Sequence, residues 1–486
     1  MKVDAARPRV SPWVFVFPLA LAQFVASYAG TTMNVAVDSI AKDIGTDVRG
    51  VQTAITFFTL TMAALMIPGS KLTDIWGRKR CFVLGLVVYG AGAVIAAVST
   101  SLTMMMVGYS LFEGVGSALM IPPIYILITV LFEGVETRAK FFGVVSAAAG
   151  IGAAAGPLIG GVITSAISWR ASFGLQVAIV AAVIVLASRV SYPSLKGATP
   201  RFDFAGAVLS AAGLVLVVLG VLQSGTYGWF KSRANLTIGN TVVIHEGGLS
   251  PVWLYFAAGG LVLAWFFLHI RSDERRGVTP LLATRLFRNR TSNLGLVTQD
   301  LQWLIMQGSF FVVSVYLQTV RHFSAIRTGL VLTPAIAGIL VSSAVAQRLA
   351  QRHTQRSLVA AGFLVTATGM ALLVVLARAT SNVLAFSPGL LAMGLGIGVM
   401  LTASVNVVQS AFPEKDQGEI SGLSRSVSNL GSSLGTALVG SILVSPIVTG
   451  NRHYTIALWT MAAIALIGLV AAISLPRHEE GRPAER

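Results

Sequence analysis

Charged side chains inside long apolar stretches are the residues of this chain most suited to chemistry. Glu113 lies near the middle of one such stretch, Asp300 lies within another, and Arg425 lies within a third. A charge within a bilayer costs at least about 2.5–3.5 kcal/mol, so these residues are candidates for function. A carboxyl group in a low dielectric favours its neutral form, which suits it to bind and release a proton. The pattern predicts proton coupling at Glu113 and Asp300, with a structural ion pair to Arg425 as the alternative.

A third acid, Asp38, stands at the end of the first apolar stretch. At a span end, solvated helix capping is the favoured role, and Asp38 is included as the third candidate for proton coupling. The six histidines fall in loops, tails or span ends, and Cys81 is the single cysteine. We therefore expect no metal site, no disulfide and no histidine relay.

The elements that carry these acids are predicted to be membrane helices. Of the 486 residues, 55% are hydrophobic and only 11% are charged, with a mean hydropathy of +0.77. Crossing a bilayer takes about 20 apolar residues, and by that measure about fourteen segments qualify. Composition excludes a disordered chain and a disulfide-rich secreted scaffold. The predicted fold is an all-α integral membrane protein of about 14 transmembrane helices.

The net charge of +16 is explained by topology rather than by nucleic acid binding. Most lysines and arginines concentrate in alternate connections between the apolar segments, and such connections face the cytoplasm. The bias predicts a plasma (inner) membrane protein with both termini in the cytoplasm.

An internal repeat divides the chain into two halves. Gly152-x-x-x-Gly156 recurs as Gly431-x-x-x-Gly435, and the basic turn ending at Arg80 recurs at 347–356. Repeated halves around a midplane site are typical of transporters. The predicted organisation is a six-helix bundle over 1–190, a linker with two extra helices over 191–292, and a second six-helix bundle with a cytoplasmic tail over 293–486.

The long connection between the two extra helices contains two β-prone runs, Leu236–Ile238 and Thr241–Ile244. They flank Gly239-Asn240, a pair that favours a tight turn. We predict an external β-hairpin over 236–244, with a disordered loop as the alternative.

The connection after the second span carries Asp74, Gly77 and Arg78. Gly77 permits a sharp reversal, and Asp74 can accept charge-assisted hydrogen bonds from Arg78 or from a neighbouring helix. We predict a conformational clamp on the cytoplasmic side, to which Arg425 also belongs. An ordinary basic loop is the alternative.

The fifth span contains a run of small residues: Gly152, Gly156, Pro157, Gly160 and Gly161. Small residues at this spacing allow helix backbones to approach closely, and proline bends the helix. The pattern alone indicates packing more than a special function.

The ninth span places Trp303, Met306, Gln307 and Phe310 near Asp300. An aromatic face with methionine beside an acid suits an adaptable, amphipathic ligand. We predict a substrate pocket there, with packing or lipid contact as the alternative.

Taken together, these residues resemble the major facilitator superfamily. The loop with Asp74, Gly77 and Arg78 is similar to its signature between the second and third helices, and the segment from Gly152 to Gly161 is similar to its antiporter signature. Other segments resemble the fourteen-span drug:proton antiporters of that superfamily: Asn34-Val35-Ala36, Trp169-Arg170, Pro280-Leu281-Leu282, 286–290, and Gly418 to Gly435.

The resemblance implies two six-helix bundles plus two inserted helices, alternating access, and export of amphipathic compounds against proton entry. It also adds Asn34 to the substrate pocket. The chain departs from the family at two places. Ala29 stands where the family usually has an Asp, and Ser110 stands where it has an Arg, while Glu113 replaces a neutral Gln.

The expected function is a proton-coupled exporter of drug-like or lipid-like amphiphiles, acting as a monomer. Its expected partners are a small amphipathic substrate, protons and membrane lipids, with no cofactor and no nucleic acid. A metabolite, lipid or solute carrier without proton coupling is the alternative. A membrane enzyme is not expected, because no polar catalytic cluster or nucleotide-binding motif is present.

Overall fold

The computed structural model describes residues 11–132, 135–189, 202–238, 241–377, 382–413, 416–444 and 452–476. The first part of the chain forms α1 Pro12–Thr32, α2 Val37–Asp43, α3 Val48–Trp76, α4 Arg78–Ala97, α5 Leu102–Met105, α6 Gly114–Leu131, α7 Val135–Ala166 and α8 Trp169–Ser188. A π-helical segment, Met106–Glu113, joins α5 to α6 in one continuous helix.

The middle of the chain forms α9 Phe204–Tyr227, strands β1 Leu236–Ile238 and β2 Thr241–Ile244, and α10 Pro251–Arg275. The last part forms α11 Arg290–Thr319, α12 Ala325–Ala350, α13 Gln355–Leu376, α14 Ser387–Gln409, α15 Gln417–Leu443 and α16 Arg452–Ile473.

Local sequence fixes where several helices begin. The Asp47 carboxylate accepts from the backbone N–H of Gly50 at 2.8 Å and caps α3. Asn289 caps α11 in the same way by accepting from Ser292 N–H at 3.1 Å. Such caps satisfy N–H groups that a helix start leaves unpaired. Between α3 and α4, Gly77 has a φ of +92°, which side chains with a Cβ rarely adopt, so the predicted sharp reversal is confirmed.

Twelve helical segments of the described chain are long and apolar enough to cross a membrane, two fewer than the fourteen that the sequence suggested. The predicted spans over 294–317 and 420–444 do form helices, α11 and α15, but these do not belong to the twelve. Both carry many glutamine, serine or threonine side chains, which are buried against other helices instead of facing lipid. Their polarity lowers their mean hydropathy below that of the other helices.

The predicted hairpin between α9 and α10 is confirmed. β1 pairs antiparallel with β2, with Thr237 opposite Val242 and Ile238 opposite Thr241. The turn residues 239–240 lie outside the described part of the chain. Below, the side of the bundle that carries this pair is called the hairpin face, and the side that carries Gly77 is called the loop face.

The helices α9 and α10 pack on each other, and the pair contacts both halves of the chain. A Cβ on Gly213 of α9 would meet Leu263 of α10 at 2.6 Å, so the two helices are in close contact. On its other side, α9 packs against α3 and α15. The pair therefore lies against the line where these two helices meet.

Helix α7 connects the first half of the chain to the second through its small residues. Cβ atoms on Gly152 and Gly156 would come within 2.3 Å of the Phe24 carbonyl oxygen and 2.0 Å of the Thr31 hydroxyl on α1. A Cβ on Gly161 of the same helix would lie 2.7 Å from the Ala325 carbonyl oxygen of α12. In lipid, where helices gain little from hydrophobic burial, such close packing drives their association.

We predict that Gly156→Leu abolishes assembly of the folded protein, because a Cβ there would lie 2.0 Å from the Thr31 hydroxyl and 3.0 Å from the Thr32 backbone nitrogen. Overpacking costs typically about 1–3 kcal/mol, and here it opposes the α1–α7 contact directly. Gly150→Leu is the matched control on the same helix, since a Cβ at Gly150 meets nothing within 4 Å. Size-exclusion chromatography and thermal unfolding should show loss for Gly156→Leu only; equal behaviour of the two variants would refute this role.

Candidate functional site

Glu113 lies at the end of the π-helical segment, buried inside the bundle formed by the first half of the chain. Its side chain is 0% exposed, and neither carboxylate oxygen has a hydrogen-bond partner among the described residues. α4 packs directly against this segment, since a Cβ on Gly92 would lie 2.7 Å from the Glu113 backbone nitrogen. π-Helical segments are frequent at functional sites. The buried carboxyl group therefore satisfies the first requirement of a proton site, isolation from bulk water.

Two tyrosines form the polar surroundings of Glu113. Tyr89 and Tyr109 both interact with it electrostatically. The Tyr109 hydroxyl donates to the Ala29 carbonyl oxygen at 3.2 Å, and the Tyr89 hydroxyl donates to the Gln176 side chain. Ala29 is the position at which the resemblance described above leads us to expect an Asp, so Tyr109 lies between that position and Glu113.

Further polar groups near these tyrosines also lack partners in the described structure. The Tyr28 and Ser172 hydroxyls and the Gln176 side-chain nitrogen are buried without hydrogen bonds. Buried polar atoms normally find a partner, and orphaned ones call for an explanation such as a functional role. Glu113 is thus part of a buried polar cluster whose hydrogen-bonding capacity is only partly used.

The second predicted acid, Asp300, lies on α11 and is partly buried. Its Oδ1 atom has no hydrogen-bond partner among the described residues. α15 crosses directly beside it, because a Cβ on Gly431 would lie 2.3 Å from the Asp300 carbonyl oxygen. Nearby on α11, Gln299 bonds to Ser424 and Ser428 of α15, both at 2.9 Å. Asp300 therefore lies at an α11–α15 contact in the second half, apart from the cluster around Glu113.

Asp38 lies near the hairpin face, and its side chain is 34% exposed. Its carboxylate pairs with Lys42 at 2.7 Å, and its backbone N–H donates to the Gln318 side-chain oxygen at 3.0 Å. Asp38 therefore forms an exposed ion pair with a residue one helical turn away. Its carboxyl group is not shielded from water as a buried proton site requires.

The predicted pocket residues fall into a packed contact between the halves. Asn34 is buried with both polar side-chain atoms unpartnered, and Gln307 donates to the Gly30 carbonyl oxygen of α1 at 3.2 Å. Met306 and Phe310 are buried, and Trp303 is partly buried against the same apolar core. In this conformation these side chains pack with α1 and other helices.

The conformational-clamp residues are only partly brought together. Asp74 is attracted by Lys71 and Arg78, but the described residues provide no hydrogen bond between Asp74 and Arg78. Lys71 reaches Glu419 of α15 at 3.9 Å, so α3 and α15 are connected near the loop face. On α15, Arg425 donates to the Tyr125 hydroxyl of α6 and lies over its ring, 4.9 Å from the centroid. Among the described ion pairs Arg425 has no carboxylate, so its predicted pairing with an acid is not seen.

Sequence reasoning overlooked the line of polar contacts between α3 and α15, called here the α3–α15 seam. Gln52 donates to the Thr436 carbonyl oxygen at 3.2 Å, and two α15 serines donate back to α3 carbonyl oxygens at 3.0 and 2.6 Å. These serines are Ser433, bonded to Thr56, and Ser426, bonded to Ala63. Glutamine and clustered serines within apolar helices were the available signal.

A second overlooked set of contacts fixes the hairpin face. Asp43 accepts from the Trp169 ring nitrogen at 3.0 Å and from Arg170, whose guanidinium also lies over the Trp169 ring at 4.3 Å. The Arg170 hydrogen bond holds the pKa of the Asp43 carboxyl below its usual range. Nearby, Gln318 donates to the Asn34 carbonyl oxygen at 2.8 Å and connects α11 to α1. The halves are therefore closed against each other on this side.

Among the described residues, one group of side chains is close enough together to hold a metal ion. Asp203, His269 and Asp273 bring their ligand atoms within 4.8 Å of one another at the loop face. His269 Nε2 lies 2.9 Å from Asp203 and 3.4 Å from Asp273. Asp203 also caps α9 by accepting from Gly206 N–H at 2.7 Å, so hydrogen bonds already use its carboxylate.

Comparison with known proteins reveals relatives along nearly the whole chain. It is 28% identical over 444 residues to the "Probable actinorhodin transporter" of Streptomyces coelicolor, covering 90% of this chain and 73% of that protein. It is 28% identical over 478 residues to the "Puromycin resistance protein pur8" of Streptomyces alboniger, covering 95% and 90%. The "Multidrug resistance protein Stp" of Mycobacterium tuberculosis is 25% identical, covering 85% and 72%.

Solved structures share the fold at low identity. The peptide transporter POT in complex with sulfate superposes with a TM-score of 0.65 at 15% identity, covering 98% of this chain and 95% of that one. The D-xylose-proton symporter also gives 0.65, at 12% identity, covering 95% and 97%. These likenesses establish the arrangement of the helices.

Residues 19–436 and 301–486 match the Major Facilitator Superfamily, in agreement with the all-helical fold. The chain is an integral membrane protein and a transporter, and it is not an enzyme. It belongs to the Major Facilitator Superfamily.

Proposed function

We propose that the protein exports amphipathic, drug-like compounds from the cell in exchange for protons. The observation that carries proton coupling is the Glu113 carboxyl group, buried without a hydrogen-bond partner among the described residues. The observation that supports export is the set of relatives, whose names describe transport of or resistance to actinorhodin, puromycin and multiple drugs.

The proposed topology has fourteen spans in two bundles, 1–190 and 293–486, with the inserted pair and hairpin in 191–292. α11 and α15 supply the two spans that are not among the twelve apolar segments described above. Their length, 30 and 27 residues, suffices for a membrane helix, and their polar side chains lie inside the protein. The basic loop after α3 supports cytoplasmic termini.

In the proposed mechanism Glu113 carries the proton. An ionised carboxylate at this site would have the Tyr89 hydroxyl near it but no cation among the described residues to offset its desolvation, so the neutral acid is the form that this closed conformation accommodates. Opening toward water on one side would hydrate the group and allow the proton to leave. Glu113 thereby takes over the task of the acid that the family usually places at Ala29, to which Tyr109 connects it. Asp300 is the second candidate, and Asp38 the least supported of the three.

Substrate binding is assigned to the contact between the halves. Asn34 and Gln307 present amides there, next to the apolar and aromatic surfaces of Trp303, Met306 and Phe310. Such a mixture suits an amphipathic molecule, because polar groups fix orientation while methionine and aromatic rings adapt to shape. Separation of the halves would expose these side chains, which are packed together in the conformation described.

The clamp is assigned to the loop-face end of α3 and to α15. Asp74 attracts Lys71, which in turn reaches Glu419, so the acid helps to hold a cation between the halves. Gly77 and Arg78 shape the adjoining turn, and Arg425 adds the contact to Tyr125. The Lys71–Glu419 and Arg425–Tyr125 contacts break only if the halves move apart, so they bias the protein toward this closed state.

We predict that Glu113→Gln keeps substrate binding but loses transport driven by a pH gradient. The amide has nearly the same shape and cannot bind a transferable proton. The measurement is efflux or uptake of puromycin and related amphiphiles in proteoliposomes, with and without a pH gradient. Asp300→Asn is the matched control, because it removes a partly buried acid in the other half.

Wild-type accumulation by Glu113→Gln under a pH gradient would remove Glu113 from the mechanism. Loss of gradient-driven transport in Asp300→Asn alone would assign proton coupling to Asp300. Gradient-independent transport by the wild-type protein would instead favour a solute or lipid carrier without proton coupling, the reading supported by Ala29 and Ser110.

We predict that Asp74→Asn slows turnover by up to about fivefold, because an exposed charge interaction contributes at most about 1 kcal/mol to the clamped state. Insertion and thermal stability should change little. Glu246→Gln, which removes an acid at the hairpin face, serves as the control. Unchanged turnover in Asp74→Asn, or an equal loss in Glu246→Gln, would argue against the clamp.

A further inference from the structure

A small cavity lies at the hairpin-face end of the α3–α15 seam, where α9 packs against both helices. Its volume is about 190 Å³. One part of its lining is polar, with Arg49, Gln52 and Gln223. Another part is apolar, with Phe57, Leu222 and Val444. None of these residues belongs to the sites described above except Gln52, whose amide crosses the seam.

Among the described residues, no carboxylate forms an ion pair with Arg49, the cation at this cavity. Arg49 is exposed and donates to the Thr226 hydroxyl of α9, and the ion pairs of the described chain do not include it. The acid two residues before it, Asp47, is used to cap α3 by accepting from Gly50 N–H. A guanidinium offers five N–H donors, so most of those on Arg49 remain available.

The depth of the cavity suits the boundary between headgroups and acyl chains. Arg49 lies in the first turn of a membrane-spanning helix, where arginine side chains reach toward the membrane surface. Phe57 follows about two turns deeper along α3, and Leu222 lies about one turn inside the end of α9, whereas Val444 directly follows α15. An occupant would therefore meet a cation at its outer end and an apolar surface below.

We propose that this cavity binds the acidic headgroup and upper chain of an anionic amphiphile, with Arg49 as its anchor. Arginine recognises carboxylate and phosphate groups through paired hydrogen bonds, and Gln223 supplies a further amide donor. The occupant touches both halves of the chain and the inserted pair at once. It therefore stabilises the conformation in which these three parts meet at the hairpin face.

The test is native mass spectrometry of the purified full-length protein in detergent. The probes are dioleoylphosphatidylglycerol, the zwitterionic dioleoylphosphatidylcholine, and the single-chain amphiphile dodecyl phosphate. Arg49→Gln removes the anchor, and Leu222→Trp fills the apolar part while it keeps the cation. Lys42→Gln is the control, because it removes one charge from the same face at a side chain that pairs with Asp38.

We expect binding of phosphatidylglycerol to fall about tenfold or more in both cavity variants, as loss of a charged hydrogen bond implies, and to persist in Lys42→Gln. That result identifies a membrane lipid as the occupant. A fall confined to dodecyl phosphate identifies a free amphiphile. If Arg49→Gln does not fold, Leu222→Trp decides. The proposal is overturned if both cavity variants retain both anionic probes, if Lys42→Gln loses them equally, or if phosphatidylcholine binds as well as phosphatidylglycerol. Because the assay measures binding, its outcome is independent of proton-coupled transport.

Discussion

Close approach of helix backbones at glycine is the constraint on which this structure depends. Within a membrane, helices gain little from burial of apolar surface, so packing and hydrogen bonds must hold them together. A Cβ added at Gly69, Gly152, Gly394 or Gly435 would lie only 2.1–2.3 Å from a backbone carbonyl oxygen of a neighbouring helix. These contacts lie in both halves of the chain. They set the distances at which every polar contact between the helices can form.

Polar side chains use this close packing to join the two halves. The contacts of the α3–α15 seam are mostly side chain to backbone carbonyl, and each contributes about 0.6 kcal/mol on average in membrane helices. Bonds of this size hold a conformation without making it permanent, which suits a protein that must open and close. Glu113 differs from them, because its carboxylate takes no part in holding helices together.

Much of the architecture could be predicted from the sequence, because apolar runs, the repeated glycine pattern and the strand pair depend on local composition. Gly77 and the β1–β2 hairpin are examples in which a short segment determines its own geometry. The number of spans was harder to predict from the sequence. The polar faces of α11 and α15 are buried, and composition cannot distinguish buried polar faces from exposed ones. Contacts such as Gln318 with Asn34 or Arg425 with Tyr125 join residues about 300 apart and depend on how the halves meet.

We propose that Glu113 is neutral in the closed protein and releases its proton when substrate binding favours the conformation that is open to water. Proton release can be followed with a pH indicator in weakly buffered solution while puromycin is added to the purified protein. The account predicts release of protons by the wild-type protein and none by Glu113→Gln, although both bind the compound. Equal proton exchange by the two proteins would contradict it.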